Sequence, residues 1–162
     1  MRRFPLAILL LFAVTIGSSS AVEIFILGPS GGTGGVGFTD EVSDTYETSV
    51  LYIWTGSVVE GYTIQRDEEG HGMGYSHGRY TGTKHTFTLQ QGEYITGISG
   101  RYGTFVDSII IQTNRRTSPR YGGPGGSAEY IYEAPDGWEI AGFCGRAGTY
   151  LDAIGVVLRK RS

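Results

Sequence analysis

The sequence predicts an all-β domain written as three related units, and three observations carry that reading. A glycine, three residues and an acid recur as Gly56-Ser57-Val58-Val59-Glu60, Gly103-Thr104-Phe105-Val106-Asp107 and Gly148-Thr149-Tyr150-Leu151-Asp152, with the acids 47 and 45 residues apart. Glycine loops keep step with them: Gly31-Gly32-Thr33-Gly34-Gly35, Gly78-Arg79-Tyr80-Thr81-Gly82 and Gly122-Gly123-Pro124-Gly125-Gly126 each begin 25 or 26 residues before the next acid phrase. Past residue 21, short β-branched and aromatic runs are separated by glycine, and helical periodicity is nearly absent. Two unrelated motifs on one period mark an internal repeat. A unit of about 45 residues cannot bury its own apolar face, so three should share one core.

Taken in order, Met1-Arg2-Arg3 is a short basic start, Leu6 to Ile16 is almost wholly apolar, and Gly17 to Ala21 supplies small residues. That is the layout of a secretory signal peptide over residues 1–21. The apolar core falls short of the roughly 20 residues a membrane span needs, so no membrane insertion is expected. The remainder, 22–162, reads as one domain. Strands are expected at Val22 to Leu27, Ser49 to Trp54, Gly61 to Arg66, His85 to Leu89, Tyr94 to Ser99, Ser108 to Gln112, Glu129 to Tyr132, Trp138 to Phe143 and Ala153 to Leu158. Alternation such as Thr86-Phe87-Thr88-Leu89 predicts one buried and one wet face. Asp67 to Gly74 is the least apolar stretch and reads as a mobile hairpin tip. Arg115 to Arg120 reads as a second exposed connection.

Composition excludes several classes. Without its leader the chain carries a net charge of about −5, and its basic residues cluster only at Arg115, Arg116 and Arg120 and at Arg159-Lys160-Arg161. Those read as solvated turn and terminus charges, and no nucleic acid partner is expected. Cys144 is the sole cysteine, so no intramolecular disulfide forms, and its place between Phe143 and Gly145 suits a small buried hydrophobe. Asn114 is the only asparagine and heads no glycosylation sequon. The histidines His71, His77 and His85 lack metal-ligand spacing, and Gly28 to Gly32 is followed by neither the lysine nor the helix of a phosphate loop. No convergent acid, base and nucleophile set points to an enzyme. No metal and no cofactor is expected.

The ordered set of Gly31 to Gly35, Gln91-Gly92-Glu93-Tyr94-Ile95 and Gly148 to Asp152 running into Ala153-Ile154-Gly155 resembles the jacalin-related lectins, nearest their mannose-binding branch and its threefold-repeated members. The resemblance spans Val22 to Arg159. It implies a β-prism I, three four-stranded Greek-key sheets around a pseudo-threefold axis, with sugar sites at one end. Each site would join the glycine loop of one repeat to an acid loop from another part of the chain. By position, Gly148, Asp152 and the backbone of Tyr150 and Leu151 would face Gly34 and Gly35. Gly103, Asp107, Phe105 and Val106 would face Gly122, Gly123, Gly125 and Gly126. Gly56, Glu60, Val58 and Val59 would face Gly78 and Gly82, a site expected to be weak or lost because Glu60 carries an extra methylene and Arg79-Tyr80-Thr81 interrupts the glycines.

The chemistry fits a hexopyranose. Adjacent sugar hydroxyls both donate and accept, so a carboxylate accepting two O–H donors beside backbone N–H groups satisfies them. Tyr150 or Phe105 would cover an apolar sugar face. Within the family, galactose preference goes with cleavage that frees an amino terminus at the first glycine loop; here Val22 to Ser30 precede that loop, which implies mannose- or glucose-type glycans. The expectation is therefore a secreted, non-enzymatic lectin gaining avidity from several sites, with a homodimer left open. The competing reading is a β-prism that binds proteins or sulfated polysaccharides instead.

Overall fold

The computed structural model describes residues 22–67 and 73–162; the leader read at 1–21, and His71 with the centre of the predicted hairpin tip, lie outside the described residues. Among those described are twelve strands and three four-stranded antiparallel sheets. The first sheet joins β1 (Ile24–Gly31), β12 (Leu151–Lys160), β11 (Trp138–Ala147) and β2 (Val36–Thr39), in that spatial order. The second runs β10 (Ala128–Glu133), β7 (Ile95–Tyr102), β8 (Ser108–Thr113) and β9 (Tyr121–Gly122). The third runs β5 (Met73–Gly78), β4 (Val59–Asp67), β3 (Glu47–Thr55) and β6 (Thr83–Thr88). Each is a Greek key, three successive strands with the fourth returning beside the first. In the first sheet the key is broken by the chain ends, since β1 and β2 complete a unit begun by β11 and β12.

Alternation builds the core. Along β4, Tyr62, Ile64 and Arg66 turn inward while Gln65 and Asp67 face water. The equivalent inward positions of the other inner strands are Ile109 and Ile111, and Ile154 and Val156, all buried in one cluster with Leu51, Ile53, Ile98 and Phe143. The sheets meet at seams formed by the residue before each glycine loop. Phe38 stacks on His77 with ring centres 3.7 Å apart, His85 lies 4.6 Å from Tyr121, and the Ser30 and Tyr132 hydroxyls are 2.6 Å apart. Buried Asp40 reinforces the first seam, accepting from Tyr62 at 3.0 Å and from the Phe143 N–H at 3.0 Å, with His77 Nε2 at 2.8 Å.

Four expectations change. The strands missing from the sequence reading are β2, β5 and β9, all at sheet edges and all glycine-bearing, where pairing on one side only does not require a run of large apolar residues. Asp67, Met73 and Gly74 belong to β4 and β5 rather than to a tip. β1 runs Ile24–Gly31 rather than Val22 to Leu27, and its Ile24, Phe25, Ile26 and Leu27 are all exposed. The basic clusters are not simply solvated. Arg159 is buried against Glu139 and donates to the carbonyls of Ser43 and Tyr46, and Arg161 pairs with Glu139 at 2.8 Å. Arg116 binds Glu93, and hydrogen bonds from Arg116, the Gln90 N–H and Thr113 hold the Glu93 carboxyl down at about 2 against the opposing effect of burial. Cys144 is buried in β11 as expected, and burial pushes its thiol up to about 11.

Candidate functional site

The three glycine loops connect β1 to β2, β5 to β6 and β9 to β10, and the three acid phrases connect β11 to β12, β3 to β4 and β7 to β8, so all six meet at one end of the molecule. Loop and acid come from one sheet in every case. Only the Asp152 site draws on distant parts of the chain; Asp107 with Gly122 to Gly126, and Glu60 with Gly78 to Gly82, each lie within one continuous unit. Each loop faces the acid that the resemblance assigned to it.

The loops share a backbone. Their first and fifth residues, Gly31 and Gly35, Gly78 and Gly82, and Gly122 and Gly126, all have φ between 61° and 144°, which favours glycine. The residue after the first glycine donates its N–H to the carbonyl of the acid: Gly32 to Asp152 at 2.8 Å, Gly123 to Asp107 at 2.9 Å, Arg79 to Glu60 at 2.9 Å. The acid phrases repeat a turn in which the glycine N–H donates two residues on, Gly148 to Tyr150, Gly103 to Phe105 and Gly56 to Val58, at 2.9 to 3.0 Å.

The glycines leave no side chain over two of the three carboxylates. A Cβ on Gly34 would overlap Asp152 Oδ1, and one on Gly35 would stand 2.6 Å from Oδ2. On Gly125 and Gly126 it would stand 2.6 Å from Asp107 Oδ1 and 2.9 Å from Oδ2. The third corner is filled. Arg79 replaces Gly32 and Gly123, Thr81 replaces Gly34 and Gly125, and both donate to Glu60 Oε2, Arg79 at 3.3 Å.

The pairs Gly100-Arg101 and Gly145-Arg146 recur 45 residues apart, and the structure gives their arginines a task. Arg146 donates from Nε to the Gly34 carbonyl at 2.8 Å and from Nη2 to the Gly35 carbonyl at 2.9 Å. Arg101 does the same to Gly125 at 3.2 Å and Gly126 at 2.8 Å. The repetition itself was the available signal. At the third corner the equivalent residue is Trp54, which meets Tyr80 with ring centres 4.9 Å apart.

Two of the expected backbone donors, Val59 and Val106, are spent inside the protein. Val59 donates to the Val106 carbonyl at 2.8 Å and Val106 to the Leu151 carbonyl at 2.9 Å, and all three side chains are buried where the sheets converge. These residues tie the loops together and have no amide to offer a ligand at Val59 and Val106. Among the described residues no acceptor receives the N–H of Thr149 or Tyr150, or of Thr104 or Phe105. Tyr150 and Phe105 lie edge to face, 5.0 Å apart, and Arg79 covers the Tyr150 ring at 4.9 Å. No cluster of three or more His, Cys, Asp or Glu able to hold a metal ion occurs among the described residues.

A family profile described as the Jacalin-like lectin domain matches residues 27–157. The chain belongs to the jacalin-like lectin family. Solved lectins of the family carry the same three-sheet β-prism. Malaysian banana lectin is 26% identical, covers 86% of this chain and 100% of its own, and superposes with a TM-score of 0.76. Calystegia sepium agglutinin is 27% identical over 85% of this chain and 97% of its own, with a TM-score of 0.75. The mannose-binding lectin from Champedak is 27% identical over 86% of this chain and 98% of its own, with a TM-score of 0.72. Artocarpin, 25% identical with a TM-score of 0.72 over 86% of this chain and 98% of its own, is known in complexes with mannotriose and mannopentose. No curated protein sequence matches. As a jacalin-like lectin the chain has a carbohydrate-binding fold.

Proposed function

We propose that this protein is a secreted, non-enzymatic lectin for mannose- or glucose-type glycans, with two working sites at Asp152 and Asp107 and a third, at Glu60, that its own side chains occupy. One observation carries the reading: each working carboxylate lies under glycines that leave no Cβ above it, next to the unengaged amides of Thr149 and Tyr150 or Thr104 and Phe105. Two neighbouring hydroxyls donating to the carboxylate while accepting from those amides satisfy a hexose edge. Such bonds contribute roughly 1.5–3 kcal/mol each before the costs of binding are deducted. A net of about 4 kcal/mol corresponds to a millimolar Kd per site, so avidity across two sites gives useful strength.

Mannose preference is supported by the mannose oligosaccharides bound to artocarpin and by β1, which enters the Gly31 loop paired to β12. Secretion rests on the leader read in residues 1–21. Calorimetry with methyl α-mannoside and methyl α-galactoside, with and without EDTA, tests the whole. The expected result is mannoside heat unaffected by EDTA, about two equivalents per chain, falling to one in Asp152→Ala and in Asp107→Ala and to none in the double variant. Galactoside preference would overturn the specificity, and no heat from a folded protein would overturn the lectin reading.

A further inference from the structure

The third corner has lost its open carboxylate and gained a different surface. Tyr52 and Trp54 stand two apart on the outer face of β3, with ring centres 6.2 Å apart, and Tyr80 closes on Trp54 at 4.9 Å with half of its own surface exposed. Lys84 is the β6 residue directly across from Trp54, and its Nζ lies 3.9 Å from the Tyr52 ring centre and 5.5 Å from that of Trp54. Among the described residues Lys84 makes no ion pair. Arg79, the chain neighbour of Tyr80, is the second cation of this corner; both its side-chain hydrogen bonds, to Glu60 and to the Tyr150 hydroxyl, leave from Nη2, and its side chain is 42% exposed. Three adjoining aromatic rings with Lys84 over two of them do not serve the core, which closes without them.

We propose that this face binds an anionic glycan, with the apolar faces of successive pyranose rings on Trp54 and Tyr80 and their carboxylate or sulfate groups against Lys84 and Arg79. The site is separate from the two carboxylate sites and opposite to them in chemistry, since it supplies cations where they supply an acceptor. A single-stranded nucleic acid also stacks on aromatics, but the chain's net charge of −3 opposes a polyphosphate, whereas a short run of charged sugars needs only Lys84 and the Arg79 donors that Glu60 does not take. Contact of Arg79 with Tyr150 places the platform next to the Asp152 site, so a branched glycan can reach both.

Trp54 is the local reporter. Titration of the full chain with a tetramannuronate should quench its fluorescence, with neutral mannotetraose giving a distinct response that Asp152→Ala/Asp107→Ala removes. Tetramannuronate binding should persist in that double variant, and this separates the present proposal from the two-site reading. Binding should weaken about fivefold in Lys84→Gln and in 0.5 M salt, and about tenfold in Tyr80→Ser, while methyl α-mannoside binding to both variants stays unchanged. Trp54→Phe should retain the binding, read by calorimetry, and lose the optical signal. Loss of tetramannuronate binding in the double aspartate variant, unchanged affinity in Lys84→Gln and Tyr80→Ser, or equal affinity for oligothymidylate would each overturn the proposal.

Discussion

Asp107 shows how one residue can serve binding against stability. Burial raises its carboxyl above the ordinary value of 3.8, although Arg101 and the Gly103 backbone pull the other way. A raised acid favours the protonated form in the folded state. The stabilisation from protonation is complete below 3.8 and lost as pH rises through the folded value, so the ionised Asp107 present at neutral pH costs stability. Asp107→Asn should therefore abolish mannoside heat at the middle site while the melting temperature at pH 7 equals or exceeds that of the parent. A lower melting temperature would show that the carboxylate is structural. Acidification should weaken the middle site from a pH above 3.8, because protonation removes the charge that strengthens both hydroxyl bonds and turns one acceptor oxygen into a donor. The acids of both proposed sites were legible in the sequence as the last letter of a repeated phrase. Which amides stand free beside them was not, because that depends on Val59 and Val106 spending theirs on neighbouring loops.

At the scale of the element, each glycine loop of the two proposed sites is shaped twice over. Its glycines permit the backbone path, and an arginine on the neighbouring inner strand fixes two of its carbonyls. The guanidinium can bridge two carbonyls in one plane, which neither lysine nor glutamine reproduces. Arg146→Gln should weaken mannoside binding at the Asp152 site about tenfold, since charge-assisted bonds of this kind are worth roughly 1.5 kcal/mol or more. The Asp107 site, held by Arg101, serves as the internal control in the same titration. Equal weakening of both sites would mean a global loss of order, and no weakening would mean the loop holds itself. The third loop keeps the two positive-φ glycines and discards the intervening ones, so the turn survives while the opening does not. Backbone geometry and ligand access are thus separable demands on one five-residue loop.

At the scale of the molecule, the chain ends fall inside a Greek key. The Lys160 N–H donates to the Glu23 carbonyl at 3.1 Å, so residues 22 and 162 lie close enough for a short linker. A circular permutant joined there and opened between Pro135 and Asp136, in the exposed turn from β10 to β11, retains every sheet partner. It should bind two mannoside equivalents and melt within about 5 °C of the parent. A permutant that binds only at Asp107 would show that continuity of β1 with the natural start is needed for the first site.

The sequence by itself determined the class, the count of units and the identity of the acids and glycines, because period, alternation and positive-φ glycine are local properties that leave a local record. It also ranked the third site last, from the added methylene in Glu60 and the side chains at 79 and 81. The family resemblance supplied which loop faces which acid; tertiary structure decided that each facing pair belongs to one sheet, since β1 pairs with β12 only once the sheets close. It alone decided that the end arginines are buried ties, that Arg101 and Arg146 clamp loops, and that Tyr52, Trp54, Tyr80 and Lys84 form one surface. Those roles depend on contacts between residues far apart in the chain, and no period in the sequence encodes such distances.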